Sequence, residues 1–291
     1  MLLAHGGLAH ASRFFRAGAT GPDLGRLRHL GVLLRPRIGW YLEPAAPEEA
    51  QAAVRVGGVL GCVSAAESYG IAVPDRLDGR VHVSVPPDLT RMRHSADGKR
   101  RVRAGVDGDV RLHWEHRCEE AVGWRVSPAD AIAQMAACTT VRWLTAAVDS
   151  ARNSVGEPPI MAPASLPILR DALPAALRIA VDRSDPSAES SGETFIRLEA
   201  EDRRIPVRSQ AWLTELYRSD HLVDEWLPVE SDGIKYHSGK AVERDRRRDA
   251  VIAYLGTPPL RFTQRMAVED TAFVGDVIEQ TWRRASRIRK N

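Results

Sequence analysis

Residues 80–86, RVHVSVP, place Val81, Val83 and Val85 at every second position, while the segments on either side space their apolar residues as helices do. A chain whose hydrophobic period keeps switching between 2 and 3.6 residues must bury both sheet faces and helix stripes, which predicts a mixed α/β fold. The switch recurs. DVRLHWEHR (109–117) repeats the strand alternation through Val110, Leu112 and Trp114, and residues 48–71 read as helix around a glycine break. SPADAIAQMAACTTVRWLTAAVDSARN (127–153) reads as amphipathic helix, with Ser127 as N-cap and Pro128 at the first helical position.

These segments make a mixed α/β middle block, about 45–155, inside a multidomain chain. With 291 residues the chain exceeds the roughly 250 beyond which single cores tend to split. Residues 156–185, with several prolines and the turn-rich SDPSAESSG following, read as a linker region. A third block, 186–291, runs helix, strand, strand, charged helix, strand, helix, which predicts a small mixed sheet with helices packed on it.

The first 44 residues form a block of their own. GLAHASRFFRAG (7–18) spaces Leu8, Ala11, Phe14 and Phe15 helically and stops at a glycine. GPDLGRLRHLG (21–31) starts a second helix near Pro22 and puts Leu24, Leu27 and Leu30 on one face. VLLRPRIGWYLEP (32–44) then gives two short strands around a basic tip, Arg35-Pro36-Arg37. Helix, tight turn, helix, basic hairpin is the order of a winged helix-turn-helix, whose second helix can enter a major groove. A helical hairpin used only for packing has the same pattern.

Charge and cysteine usage narrow the function classes. The net charge is only +3, but RRASRIRK (283–290) and RDRRRD (244–249) concentrate bases, and local basic charge favours polyanion partners such as DNA. Cys62, Cys118 and Cys138 include no C-x-x-C pair, so reduced thiols are expected, and neither a disulfide framework nor a zinc finger. His82, His113 and His116 fall on strands without a carboxylate cluster of metal spacing and read as strand-surface residues. The N-terminus lacks the pattern of a secretory leader, and no segment approaches the ~18 apolar residues that would span a bilayer. A cytoplasmic protein with no membrane partner is expected.

The third block carries the acids that point to chemistry. Glu193 lies in GETFIRLEAE, Asp220 ends WLTELYRSD, and Glu230 and Asp232 flank Ser231 in EWLPVESDG. Alternate residues of a strand share a face, so Glu230 and Asp232 can point the same way, and a neighbouring strand carrying Asp220 would bring a third carboxylate. Like charges packed that closely repel, and a hard divalent cation stabilises such a cluster. His237 can move a proton or contact phosphate, and the arginines that follow can hold a phosphate backbone. The same spacings also fit acids at strand ends and an exposed helix face laced with ion pairs.

A family resemblance weights these alternatives. AESSGETFIRL, SDHLVDEWLPVESDG, YHSGKAVERDRRRDAVIAYLG and LRFTQ, within 186–282, resemble the DUF559 or very-short-patch-repair-like endonuclease domains of PD-(D/E)XK type in actinobacterial proteins. Residues 8–44 resemble the winged helix-turn-helix head of AbiEi-type antitoxins and regulators. The resemblance implies a restriction-endonuclease-like fold in which Asp220 and Glu230 hold Mg²⁺ or Mn²⁺, with Asp232 as a third acid. Glu193 would be the acid of the first helix and His237 the family's histidine. DNA would meet Arg26, Arg28, Arg35 and Arg37 at the head, and Lys235, Arg244, Arg246, Arg247 and Arg248 near the nuclease site. Three departures stand out: Asp232 occupies the place of the lysine in the E-x-K form, with Lys235 as its substitute; Pro228 falls inside a strand expected to be central; and two prolines interrupt GTPPLRFT. A degenerate nuclease fold kept for binding DNA, as in a transcriptional regulator or an antitoxin with a cognate toxin or other protein partner, accounts for the same residues. An interaction scaffold that binds no DNA is the third alternative.

Overall fold

The computed structural model describes residues 2–75, 77–102, 108–114, 119–154, 158–215, 217–232, 250–252, 254, 256 and 258–289. These form helices and three small sheets, a mixed α/β architecture. The chain divides into two compact units, one built from 1–140 and 160–178, the other from 141–159 and 179–291. This division differs from the three blocks and linker read from the sequence, because the chain crosses between the units three times. No helix among the described residues is long and apolar enough to cross a membrane.

The first unit begins with β1 (Leu8–His10), α1 (Ala11–Arg16), α2 (Gly21–His29), β2 (Leu34–Arg37) and β3 (Trp40–Leu42). Leu8 and Ala9 were expected in a helix. They form a strand instead, because Gly6 and Gly7 turn the backbone at positive φ and β1 then pairs with β3, Leu8 opposite Leu42. The three strands lie in the order β1-β3-β2, all antiparallel. Ala9, Phe14, Leu24, Leu33 and Tyr41 bury one small core beneath them. Thr20 and Asp23 cap α2 reciprocally, and Gly31, at φ 70°, lies just past its C-terminal end.

The unit continues through α3 (Glu48–Val56), β4 (Val59–Leu60), α4 (Cys62–Tyr69), β5 (Val81–Ser84), β6 (Val110–His113) and α5 (Pro128–Met135). The sheet order is β4-β5-β6, with β5 and β6 parallel. Val83 and Val85 are buried as their alternation predicts, but so are His82 and Ser84 on the opposite face. A strand covered on both faces explains why the period-2 pattern alone could not locate the surface. The chain leaves for α6 (Val141–Arg152) and returns for α7 (Ser165–Ala172), which packs on α5.

In the second unit α6 joins α8 (Ile179–Asp182), α9 (Ser191–Asp202), β7 (Val207–Thr214), β8 (Tyr217–Val223), β9 (Leu227–Asp232), β10 (Leu260–Thr263), α10 (Gln264–Glu269) and α11 (Thr271–Arg289). The sheet order is β10-β9-β8-β7, antiparallel except for the parallel pair β9 and β10. Ile196 and Ala200 of α9, Val223 of β8, Leu227 and Val229 of β9, Phe262 of β10, and Val274 and Ile278 of α11 share one core. Asp149 of α6 and Arg197 of α9 form a buried ion pair at 2.9 Å. Both proline departures resolve locally. Pro228 precedes Val229, where pairing with β10 begins, so its missing N–H is not needed on that side, and β10 starts only after Pro258 and Pro259.

Candidate functional site

β8 and β9 pair as His221↔Val229, Leu222↔Pro228 and Val223↔Leu227, and the ladder stops there. One step further the register would set Asp220 against Glu230. Instead the Asp220 carboxylate takes the place of a backbone acceptor, Oδ2 receiving the Ser231 N–H at 2.8 Å. Because Leu227 and Val229 point into the core, Pro228, Glu230 and Asp232 project from the other face of β9. The expected placement of Asp220 and Glu230 on adjacent strands is therefore what the fold contains.

Glu230 is 3% exposed and well held. Its Oε1 accepts the Tyr217 hydroxyl at 2.9 Å, and Oε2 meets Arg261 Nε at 3.1 Å. Arg261 stands beside Glu230 because β10 runs parallel to β9 in the register Arg261↔Glu230. Asp232, at the strand end, is exposed.

Glu193 sits in the first turn of α9, whose N-cap is Ser190. Its Oε1 accepts the Ser190 hydroxyl at 3.0 Å, and Oε2 accepts the Glu189 N–H at 2.9 Å and the Gln210 side-chain amide at 2.7 Å. Gln210 interrupts the β7–β8 pairing at a left-handed backbone, φ 50°. Burial pushes the Glu193 carboxyl up to about 7, and the Asp220 charge pushes in the same direction. Burial likewise raises Asp220 to about 6 against the opposing bond from Ser231, with Glu230, Glu189 and Asp232 adding repulsion. A desolvated group of carboxylates at this end of the sheet thus favours bound protons or a bound cation near neutral pH.

The expected convergence of Asp220, Glu230 and Asp232 is looser than a formed ligand cage. Among the described residues, the one group of three or more His, Cys, Asp or Glu side chains with ligand atoms all within 4.8 Å of one another is Cys62, His82, His113 and Cys138, in the first unit. That group corrects two expectations: His82 and His113 are buried rather than on a strand surface, and two of the cysteines do gather with histidines. His116 and Cys118 lie outside the described residues, as do His237, Lys235, Arg244, Arg246, Arg247 and Arg248.

At the head of the chain Arg26 and Arg28 are exposed on α2, and Arg35 is exposed on β2. Arg37 is half-buried, and its guanidinium is engaged within the unit. Its guanidinium donates to the backbone carbonyls of Arg55 at 3.0 Å, Val56 at 2.6 Å and Arg91 at 2.7 Å, so its donors are used inside the unit. Tyr217, Gln210 and Arg261 were missed from the sequence, since only strand register and the interrupted backbone of β7 bring them to the acids. The chain matches no family model and no curated protein sequence.

Proposed function

We propose that the second unit hydrolyses DNA phosphodiester bonds with a divalent cation, Mg²⁺ or Mn²⁺, as a PD-(D/E)XK-like nuclease domain, and that the first unit brings a winged helix-turn-helix to the same DNA. One observation carries the reading: the parting of β8 and β9 at Asp220 and Glu230, with Glu193 and Asp220 held at raised carboxyl pKa beside it. The order of the acids supports it. An acid in the first turn of a helix, an acid on the middle strand and E-x-D on the next strand follow one another as the resemblance implies.

The donors are hard carboxylate oxygens, which suit Mg²⁺ or Mn²⁺ rather than a thiophilic ion. Asp220, Glu230 and Asp232 would hold the ion, which when bound would polarise a phosphoryl oxygen and acidify water. The chain's own residues prepare that position. The Ser231 N–H fixes Asp220, Tyr217 and Arg261 fix Glu230, and Gln210 fixes Glu193. For the first unit, the strand order β1-β3-β2 around α1 and α2, with Arg26, Arg28 and Arg35 exposed, supports DNA binding through α2 and the hairpin. Work on DNA fits a cytoplasmic location.

A second reading has its own observation. The Arg261–Glu230 ion pair already neutralises the most buried acid of the group, as expected of a nuclease fold retained only for binding in a regulator or antitoxin, with a toxin or other protein as partner. Supercoiled plasmid incubated with the purified chain in Mg²⁺ or Mn²⁺ separates the two. Nicking by the wild type that is lost in Asp220→Asn supports the nuclease, whereas equal gel shifts without nicking by either protein assign the chain to the second reading.

A further inference from the structure

Two of the chain's three cysteines and two of its nine histidines meet in one place in the first unit. They come from four separate places in the chain. Cys62 opens α4, His82 lies on β5, His113 on β6, and Cys138 follows α5. The parallel register His82↔Arg111 and Ser84↔His113 puts both imidazoles on the same face of the sheet, with ring centroids 5.2 Å apart. His82 Nδ1 and His113 Nε2 approach to 3.1 Å, and the Cys138 sulfur stands 3.9 Å from each of these nitrogens. Cys62, His82 and His113 are almost wholly buried.

We propose that Cys62, His82, His113 and Cys138 bind one Zn²⁺ as a closed tetrahedral Cys₂His₂ centre that staples the first unit together. Zinc–nitrogen bonds of about 2.0–2.1 Å and zinc–sulfur bonds of about 2.3 Å place tetrahedral nitrogens about 3.3 Å apart and nitrogen–sulfur pairs about 3.6 Å apart. The observed 3.1 Å between nitrogens and 3.9 Å from nitrogen to sulfur lie close to those values. Two thiolates with two imidazoles select zinc over the hard cations expected at the carboxylates of the other unit. Four protein donors leave no position for water, so the centre is structural rather than catalytic.

Charge and backbone contacts surround the ligands. His82 turns its other ring nitrogen, Nε2, toward Asp78 Oδ1 at 3.5 Å, and Asp78 is in turn held by Arg80 and by Arg111 at 3.4 Å. The approach of Asp78 to His82 is within ion-pair range but is not a hydrogen bond, so Asp78 supplies negative charge behind the imidazole. Gln134 accepts the Cys62 N–H at 2.9 Å and donates to Ser84 Oγ at 3.0 Å, tying the α4 N-terminus to β5. Cys62 itself adopts φ 48°, a left-handed backbone that a non-glycine residue holds only where its surroundings compensate. The strands β4, β5 and β6 are only two to four residues long, so the ion would join elements that the short sheet alone pins weakly.

Elemental analysis of the full chain, purified in reducing buffer without chelator from zinc-supplemented cells, should find one zinc per chain, unchanged in Cys118→Ser and lost in Cys138→Ser. Wild-type chain stripped of metal and titrated with Co²⁺ supplies a readout that does not depend on the folding of Cys138→Ser. Stoichiometric uptake, with the intense visible bands of tetrahedral cobalt and near-ultraviolet thiolate charge transfer, supports the centre. Folded chain that carries no zinc and takes up no Co²⁺ in reducing buffer overturns it. So does a metal-free chain whose intact mass and peptide map show a Cys62–Cys138 disulfide. Neither result bears on nicking by the second unit, so this proposal and the nuclease reading fail separately.

Discussion

Asp220 accepts the backbone N–H of Ser231 at 2.8 Å, at the step where β8 and β9 cease to pair. A carboxylate that does the work of a backbone carbonyl can lose its charge without losing that bond, since an asparagine oxygen accepts the same N–H, though more weakly. Asp220→Asn should therefore keep the fold while removing a buried charge. In chelator at pH 8 the variant should be as stable as wild type or up to about 2 kcal/mol more stable, because the raised pKa of Asp220 marks a carboxylate that is costly to ionise there. Mg²⁺ should raise the melting temperature of the wild type only, and nicking should vanish. Thermal melts with and without Mg²⁺ check this, and equal Mg²⁺ shifts in both proteins would remove Asp220 from the metal.

The acids on β8 and β9 were legible because strand alternation and a one-residue spacing are local signals. What surrounds them was not. Arg261 reaches Glu230 through the parallel pairing of β10, a register between residues about thirty positions apart in the chain. β7 was hidden because its buried residues do not alternate cleanly with exposed ones, and Gln210 breaks its backbone pattern. Cys62, His82, His113 and Cys138 lack the short spacings of metal motifs, since they lie on α4, β5, β6 and the turn after α5, and only the fold gathers them. The two-unit division escaped for a related reason: α6 continues the helical pattern of α5 without a compositional break, yet belongs to the other unit.

Arg35 and Arg37 should part company under mutation, although they sit two residues apart on β2. Arg35→Ala should weaken DNA binding and reduce the salt slope of log K by about 1, as loss of one phosphate contact does. Arg37→Ala leaves three backbone carbonyls without their donor and should destabilise the first unit by about 1–3 kcal/mol. Gel-shift titration across salt, paired with urea denaturation, distinguishes the two. A stable Arg37→Ala protein with a flattened salt slope would return Arg37 to the DNA surface.

Gly192 lets α9 lie against β9. A β-carbon there would collide with the Ser231 hydroxyl and come within 3.3 Å of Gln264 Cα. Gly192→Ala should therefore displace Ser231, the residue whose N–H holds Asp220, at a cost of about 1–3 kcal/mol. Under the nuclease reading, nicking should fall more than plasmid affinity does. A variant that nicks at the wild-type rate would show that the Asp220–Ser231 bond does not position the site.

The buried pair of Asp149 and Arg197 gives the second unit a pH dependence of definite sign. Asp149 receives the Arg197 guanidinium at 2.9 Å, the Thr194 hydroxyl at 2.8 Å and the Asp185 N–H at 2.6 Å, yet burial outweighs these and pushes its carboxyl up to about 6. In the unfolded chain the same carboxyl titrates near 3.8. Folding therefore takes up a proton between about pH 4 and pH 6, so this contribution to stability is full below pH 4 and is lost as pH rises through 6. The total is at most about 3 kcal/mol, from roughly two pKa units at 1.36 kcal/mol each. Glu193 and Asp220 are also raised and add slopes of the same sign, so the difference between wild type and Asp149→Asn isolates this residue. Arg197→Met should cost about 3–5 kcal/mol at pH 7.5, where it strands a buried carboxylate, and clearly less at pH 5, where that carboxyl is protonated. Urea denaturation at the two pH values measures both effects, and a penalty for Arg197→Met that is equal at pH 5 and pH 7.5 would show that Asp149 stays ionised throughout.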